Sequence, residues 1–314
     1  MTRRGALMLA GAVLSATPRT PVIIDTDVGS DDLLAIAFLL SRADIRIEAI
    51  TVANGLAHVE RGAANLVRLL TLAGKPDIPV YIGRSSPMRG HREFPAAWRR
   101  TSDELLGVHL PAAKRKPQSQ SAAEFLARTR PVRILALGPL TNLAEAGVAG
   151  RKLVIMGGAL RVPGNLGDGG FIKTNNTTAE WNIFVDPLAA SIVFRSASQI
   201  TLIPLDATAK VPIDMAFLQD FQKRARTPLG RFAAEVLESD RQSIEDGYFQ
   251  AWDPLAAVAL VEAGVVLTKM AAIEVLHTPP EDGRTVEAKG QKPNVAVAMD
   301  AKPAEFKRVF LAVF

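Results

Sequence analysis

The segment Asp25-Thr26-Asp27-Val28-Gly29-Ser30-Asp31-Asp32 places four carboxylates within eight residues. The run before it, Pro21-Val22-Ile23-Ile24, reads as a buried strand, and the run after it, Leu33 to Leu40, reads as a helix. The acids therefore fall on a strand-to-helix turn. Like charges this close repel, and burying ionised carboxylates without compensation is strongly unfavourable. A hard divalent cation, which takes oxygen ligands, is the natural compensation. Residues two apart on a strand share a face, so Asp25 and Asp27 are expected to point together. Gly29 permits the tight turn. Asp31 and Asp32 then open a helix, whose N-terminal dipole favours anions. A single capping aspartate with three exposed neighbours would leave the strand-side pair unexplained.

Outward from this turn, apolar strand-like runs alternate with helical ones. Strands are expected at Pro21 to Ile24, Ile45 to Val52, Val80 to Ile82, Val132 to Leu137, Leu153 to Met156, Ile200 to Leu205 and Ile273 to Leu276. Helices are expected at Asp31 to Ser41, Val59 to Ala73, Ser121 to Thr129, Thr141 to Ala146, Asp186 to Arg195, Arg231 to Glu245 and Pro254 to Glu262. This alternation predicts an α/β fold, an open, mostly parallel sheet flanked by helices with a Rossmann-like core. Binding sites in such sheets lie at the carboxyl ends of the strands, where the acid cluster falls. Residues 84–120, rich in Pro, Arg and Lys, and residues 161–178, rich in Gly, Asn and Thr, read as long irregular loops of functional interest. No repeat or linker divides the chain, so residues 21–314 are read as one domain.

Composition narrows the chemistry. The chain has 314 residues, 48% of them hydrophobic, enough for a large core. It has no cysteine, which removes disulfides, thiolate metal sites and thiol nucleophiles. Its four histidines stand at no metal-ligand spacing, which argues against zinc. The net charge of +5 owes much to Arg3, Arg4 and Arg19, in a stretch without acids. The remaining basic runs read as solvated faces, so no nucleic-acid partner is expected. Thr2-Arg3-Arg4-Gly5 followed by the apolar run Ala6 to Leu14 reads as an export signal over residues 1–20, resembling a twin-arginine signal, although no clean A-x-A cleavage site stands near Ser15-Ala16-Thr17. The expectation is a periplasmic or secreted protein without a membrane span in its mature form. If the N-terminus is not a signal, the expected location is cytoplasmic.

The turn also resembles the D-x-D-P-G-x-D-D signature of the inosine–uridine nucleoside hydrolase family, with Val28 where the family usually has proline. Three more segments match in order. They are Leu135-Ala136-Leu137-Gly138-Pro139-Leu140-Thr141-Asn142, then Met156-Gly157-Gly158-Ala159 with Ala179-Glu180-Trp181-Asn182 and Asp186-Pro187, and finally Trp252-Asp253-Pro254. The resemblance implies hydrolysis of ribonucleosides to ribose and free base. It implies Ca²⁺ held by Asp27, Asp32, the Leu137 carbonyl and Asp253, with Asp27 also acting as general base for water. Asp31, Asn54, Asn176, Glu180 and Asn182 would bind ribose, and Asp25 would support the turn from behind. Family members are often dimers or tetramers, so a homo-oligomer is expected.

The departures from the family pattern matter. Trp252 stands where many members place a histidine that protonates the leaving base. In this it resembles the purine-preferring branch, which stacks the base between aromatic rings. Trp98 is a second candidate wall, and His91 and His109 are candidate proton sources. The family's V-x-G-N is here Val52-Ala53-Asn54-Gly55, a shifted register. Asn165, Asn175 and Asn176 all compete for the 5′-hydroxyl, with Asn176 preferred. Two other classes share parts of this pattern. A haloacid dehalogenase-type phosphatase would use Asp25 as nucleophile but needs a later acidic pair, and Gly167-Asp168 is followed by Phe171-Ile172 instead. An exported nucleoside-binding protein without catalysis would have no need of Asp27 as a base.

Overall fold

The computed structural model describes residues 19–130, 132–167, 172–197 and 199–314. The expected export signal falls mainly on residues 1–18, outside the described residues. Thr20 already opens the first strand.

Eleven strands are present among the described residues: β1 (Thr20–Thr26), β2 (Ile45–Val52), β3 (Val80–Ile82), β4 (Gln118–Ser121), β5 (Arg133–Ala136), β6 (Lys152–Met156), β7 (Gln199–Ile203), β8 (Val266–Ala271), β9 (Ile273–Val275), β10 (Thr285–Glu287) and β11 (Val295–Ala301). Nine of them form one sheet in the order β4-β3-β2-β1-β5-β6-β7-β11-β8. Every neighbouring pair is parallel except β11 with β8. The chain winds outward from β1 to β4, then crosses back to lay β5 on the other side of β1. Where strand order reverses, the loops leaving β1 and β5 diverge and open a crevice at their carboxyl ends.

The helices are α1 (Ser30–Ser41), α2 (Val59–Leu72), α3 (Ala96–Asp103), α4 (Ala122–Arg128), α5 (Thr141–Ala146), α6 (Trp181–Val185), α7 (Pro187–Ser196), α8 (Leu205–Thr208), α9 (Met215–Arg224), α10 (Pro228–Ser239), α11 (Arg241–Glu245), α12 (Trp252–Val261) and α13 (Pro303–Leu311). They cover both faces of the sheet. Val22 and Ile24 join a core with α1, α2, α10, α12 and α13, whereas Ile23 joins the opposite core with α4, α5 and α7. This is the period-two alternation of a strand buried on both sides. Helix α1 is buried from Asp32 to Leu40 because it is wedged against α10 and α12 as well as the sheet.

The differences from the sequence-based expectation have local causes. The helix expected over Arg231 to Glu245 is two helices, broken at Asp240. Ile273 to Leu276 does not join the main sheet, because β9 pairs antiparallel with β10 as a separate hairpin. The run Ile200 to Leu205 stops as a strand at Ile203, and Leu205 begins α8. The loop 84–120 contains α3 and β4.

The face that carries α1, α10, α12 and α13 is held partly by an aromatic cluster. Phe310 is 1% exposed and lies 5.4 Å from Phe38, 5.4 Å from Phe306 and 5.9 Å from Phe221, between ring centroids. Phe310→Ala removes one ring from the middle of this cluster. It is expected to lower unfolding free energy by about 3–5 kcal/mol, read as a reduced urea midpoint.

Candidate active site

The first strand delivers the acid turn to the crevice and then ends. Val28, which follows Asp27, has φ 63°. A β-branched residue in this left-handed region is strained by roughly 1–3 kcal/mol. The reversal brings Asp27 back over the start of α1. Gly29 caps that helix, and its N–H donates to Asp32 Oδ2 at 2.9 Å. Asp32 Oδ1 accepts from the Thr26 hydroxyl and, at 3.3 Å, from the Asp27 N–H. Asp32 is thus immobilised by donors within its own turn.

Asp27 needs room, and two glycines supply it. A Cβ at Gly55 would sit 1.9 Å from Asp27 Oδ2, and one at Gly138 would sit 2.8 Å from Asp27 Cβ. The Leu56 N–H donates to Asp27 Oδ2 at 2.9 Å. From the far end of the chain, the first turn of α12 contributes Asp253. It is 1% exposed, and neither of its carboxylate oxygens has a hydrogen-bond partner. One oxygen each from Asp31, Asp32 and Asp253 lie within 4.8 Å of one another.

Burial raises the proton affinity of every one of these groups. Asp27 and Asp31 are held well above the ordinary carboxylate range by burial first and the Asp32 charge second. Asp253 is raised by burial, then by the charges of Asp31, Asp32 and Asp27. Burial also raises Asp32, against the pull of the Thr26 hydroxyl. A buried carboxylate without a donor, facing others, is the donor set a hard cation fits.

Asp25 has a different setting. It does not line the cavity. Its Oδ1 accepts from Thr51 Oγ1 at 2.5 Å and Asn142 Nδ2 at 2.8 Å. Burial pushes its carboxyl up to about 7. The strand period does not carry through to Asp27, because β1 ends at Thr26.

Opposite the acids stand polar groups from two other strand ends. The Leu137 N–H is tied to the Asp25 carbonyl at 2.8 Å, and the Leu137 carbonyl accepts from Asn182 Nδ2 at 2.7 Å. Glu180 caps α6, accepting from Asn182 N at 2.9 Å, Ile183 N at 3.2 Å and Gly158 N at 2.9 Å. Burial raises its carboxyl despite these donors. Together these residues line a cavity of about 310 Å³, the lower end of small-molecule sites. Its aromatic walls are Trp252, 5.3 Å from Phe249, and a cluster in which Trp181 lies 4.8 Å from Phe94 and 5.6 Å from Trp98. A larger groove of about 1260 Å³ opens at the amino ends of β5, β6 and β7. Its described lining includes Arg133, Lys152, Arg195 and Lys292, with Glu274 the one acid among those residues, so no carboxylates converge among them.

Two expected ribose contacts are placed elsewhere. Asn176 does not line the cavity. Its Nδ2 donates to the Asp282 carbonyl, and its Oδ1 accepts from Thr178 and Ala179, so the side chain shapes its own loop. Asn165 is the asparagine that reaches the cavity, braced by the Trp181 N–H at 3.1 Å. Asn54 is buried behind the lining, and its Oδ1 accepts from Arg99 Nη2 at 2.9 Å. His91 and His109 do not line the cavity either. Sequence reading assigned no role to Phe94, Trp181, Asp240, Tyr248 or Phe249. Only Trp181 carried a local signal, standing between Glu180 and Asn182.

An open α/β sheet with a carboxylate-lined, aromatic-walled crevice at its switch point defines an enzyme that grips a small polar ligand bearing a flat ring. The profile of the inosine-uridine preferring nucleoside hydrolases matches residues 22–308, and the chain belongs to that family. It is 32% identical over 309 residues to the pyrimidine-specific ribonucleoside hydrolase RihA of Salmonella gallinarum, covering 91% of this chain and 95% of that protein. Among solved structures, a plant nucleoside hydrolase, PpNRh1, superposes with a TM-score of 0.83 at 28% identity, over 94% of this chain and 99% of its own. A purine-preferring ribonucleoside hydrolase from Gardnerella vaginalis gives 0.79 at 26% identity, over 94% and 98%.

The raised carboxyls have a consequence for stability. Folded, they bind protons that the unfolded chain releases above its ordinary value of 3.8. Without a cation, the stability they contribute is full below that value and is lost as pH rises through about 7, where folded Asp25 titrates. Melting temperature measured with chelator is expected to fall from pH 4 to pH 8. A divalent cation, binding only the ionised cluster, is expected to suppress that fall.

Proposed function

We propose that this nucleoside hydrolase cleaves purine ribonucleosides in preference to pyrimidine ones, with Ca²⁺ held by Asp27, Asp32, Asp253 and the Leu137 carbonyl. The carrying observation is Asp253: a buried carboxylate without a donor, converging with Asp31 and Asp32 beside Asp27. An all-oxygen, mixed carboxylate and carbonyl set suits calcium. Held by these residues, such an ion would offset the charge of the cluster and make a nearby water more acidic.

The chain's own residues do the rest. Asp27, fixed by the Leu56 N–H, takes the proton of the attacking water. Asp31 and Asn182 hold ribose hydroxyls. Glu180 and Asn165 face the 5′ end, the latter in the role expected of Asn176. Glycosidic cleavage passes through an oxocarbenium-like state, so positive charge grows on the sugar and the surrounding carboxylates stabilise it. The base lies toward Trp252 and Phe249. The larger ring of a purine gains more from stacking on such walls than a pyrimidine does. The N-terminal twenty residues serve as an export signal in this reading.

Purified protein is expected to release reducing sugar from inosine, to stop on chelation and to recover with calcium. Asp27→Ala is expected to lower kcat by at least about 10²–10⁴-fold. A variant retaining nearly the wild-type rate would remove Asp27 from the role of base.

Base preference has a separate measure. The kcat/KM for inosine is expected to exceed that for uridine and cytidine. The reverse order would align this chain with its pyrimidine-specific Salmonella relative and discard the stacking argument.

A further inference from the structure

The departing base needs a proton, and the cavity contains no histidine, lysine or arginine among its described lining residues. Its carboxyls fall into three sets. Asp27, Asp31, Asp32 and Asp253 form the acid cluster. Glu180 is occupied by three backbone N–H donors. Asp240 belongs to neither.

Asp240 stands at the junction of α10 and α11, in the capping position of α11. An aspartate there ordinarily accepts from the helix's first N–H groups. This one makes no such bond. Its carboxyl faces the start of α1, where Ser30 pulls its proton affinity down. It lines the cavity with Ser243, Tyr248, Phe249 and Trp252, at the aromatic end. Its Oδ2 is buried without a hydrogen-bond partner.

We propose that Asp240 is the proton donor to the leaving base. This rests on the hydrolytic reading above and deepens it. In the step, the bond between C1′ and the base nitrogen breaks, and its electron pair leaves with the base. The Asp240 O–H bond breaks, and the proton passes to a ring nitrogen of that base. Water bonds to C1′ through oxygen, and its proton passes to the Asp27 carboxylate. Solvent then reprotonates Asp240 and deprotonates Asp27, so ribose and neutral base are the net products.

The surroundings suit the role. Burial pushes the Asp240 carboxyl up to about 6 against the pull of Ser30, the range in which a carboxylic acid is an efficient donor near neutrality. The facing charged group is Asp31, which Asp240 in turn raises. The neighbouring Arg241 is held away by Glu238 and Glu245, at 2.5 and 3.3 Å. Among the described residues, no cationic side chain contributes to the Asp240 shift.

The test compares two leaving groups. Nitrophenolate departs from 4-nitrophenyl β-D-ribofuranoside without protonation, whereas hypoxanthine departs from inosine with it. Asp240→Asn is expected to lower kcat on inosine by about 10²-fold or more, the usual contribution of a general acid. It is expected to leave KM for inosine within a few fold, and turnover of the nitrophenyl riboside close to wild type. Asp240→Ala, checked for an unchanged melting profile, is expected to show the same split. Equal losses on both substrates, or no loss on inosine, would overturn the assignment. A wild-type protein inactive on both substrates would instead overturn the hydrolytic reading itself, and the proton donor with it.

Discussion

Everything in this molecule answers to one unfavourable fact: four aspartates, Asp25, Asp27, Asp32 and Asp253, are buried to 1% exposure or less around one strand end. At an effective dielectric of about 20, two unit charges about 4 Å apart interact by about 4 kcal/mol. Three such repulsions would match the whole net stability of an ordinary domain, about 5–15 kcal/mol. The fold accommodates them by treating each differently. Asp25 is turned into the interior, toward Thr51 and Asn142. Asp32 is enclosed by Thr26 and the Gly29 N–H. Asp27 takes one backbone donor and keeps its remaining acceptor capacity. Asp253 takes none. The donors are unevenly shared: Asp25 Oδ1 takes two while its Oδ2 takes none, and at the cavity Asp253 takes none at either oxygen.

Such a cluster needs a scaffold that brings distant segments to one point without exposing backbone. The switch between β1 and β5 supplies it. Asp25 pairs with Ala136 across that seam, so the next residues, Thr26-Asp27 and Leu137-Gly138, leave the sheet side by side. Close approach then makes glycine obligatory at Gly55 and Gly138, where a methyl group would displace Asp27. The strained Val28 belongs to the same requirement, because the chain must reverse before α1 can begin. Sheet topology, glycine placement and backbone strain are thus three responses to a single electrostatic demand.

This also explains what was legible in the sequence. The acid turn, the strands flanking it and the family motifs are local patterns, each decided within about ten residues by period and turn chemistry. Asp240 was hidden for the opposite reason. Nothing in Arg231 to Glu245 marks a break, since the residues on both sides favour helix. The aromatic walls were equally invisible, because Phe94, Trp181 and Phe249 come from three separate segments that only the packing joins. Asn176 and Asn165 show the limit of spacing arguments inside a loop. Both are asparagines near Glu180, and hydrogen bonding alone sends one inward to Asp282 and the other to the cavity. Strand β11, Val-Ala-Val-Ala-Met-Asp-Ala, escaped because its small residues give a weak signal, although it sits between β7 and β8 in the sheet.

The two ends of the cavity make opposite demands on one side-chain type. In the proposed mechanism a carboxyl at the sugar end is ionised to accept a proton from water, and one at the base end is protonated to give one away. Residue identity cannot distinguish them, so environment must. Asp27 lies among acids whose charge a bound cation would offset, which would favour its ionised form. Asp240 lies among Ser30, Ser243 and aromatic rings, with its nearest arginine held elsewhere. Burial raises both carboxyls, so in the proposed mechanism it is the cation at the cluster that would separate them into a base and an acid. With Trp252 in place of an imidazole, the proposed mechanism assigns the stacking surface and the proton source to separate residues. Each can then be altered without removing the other.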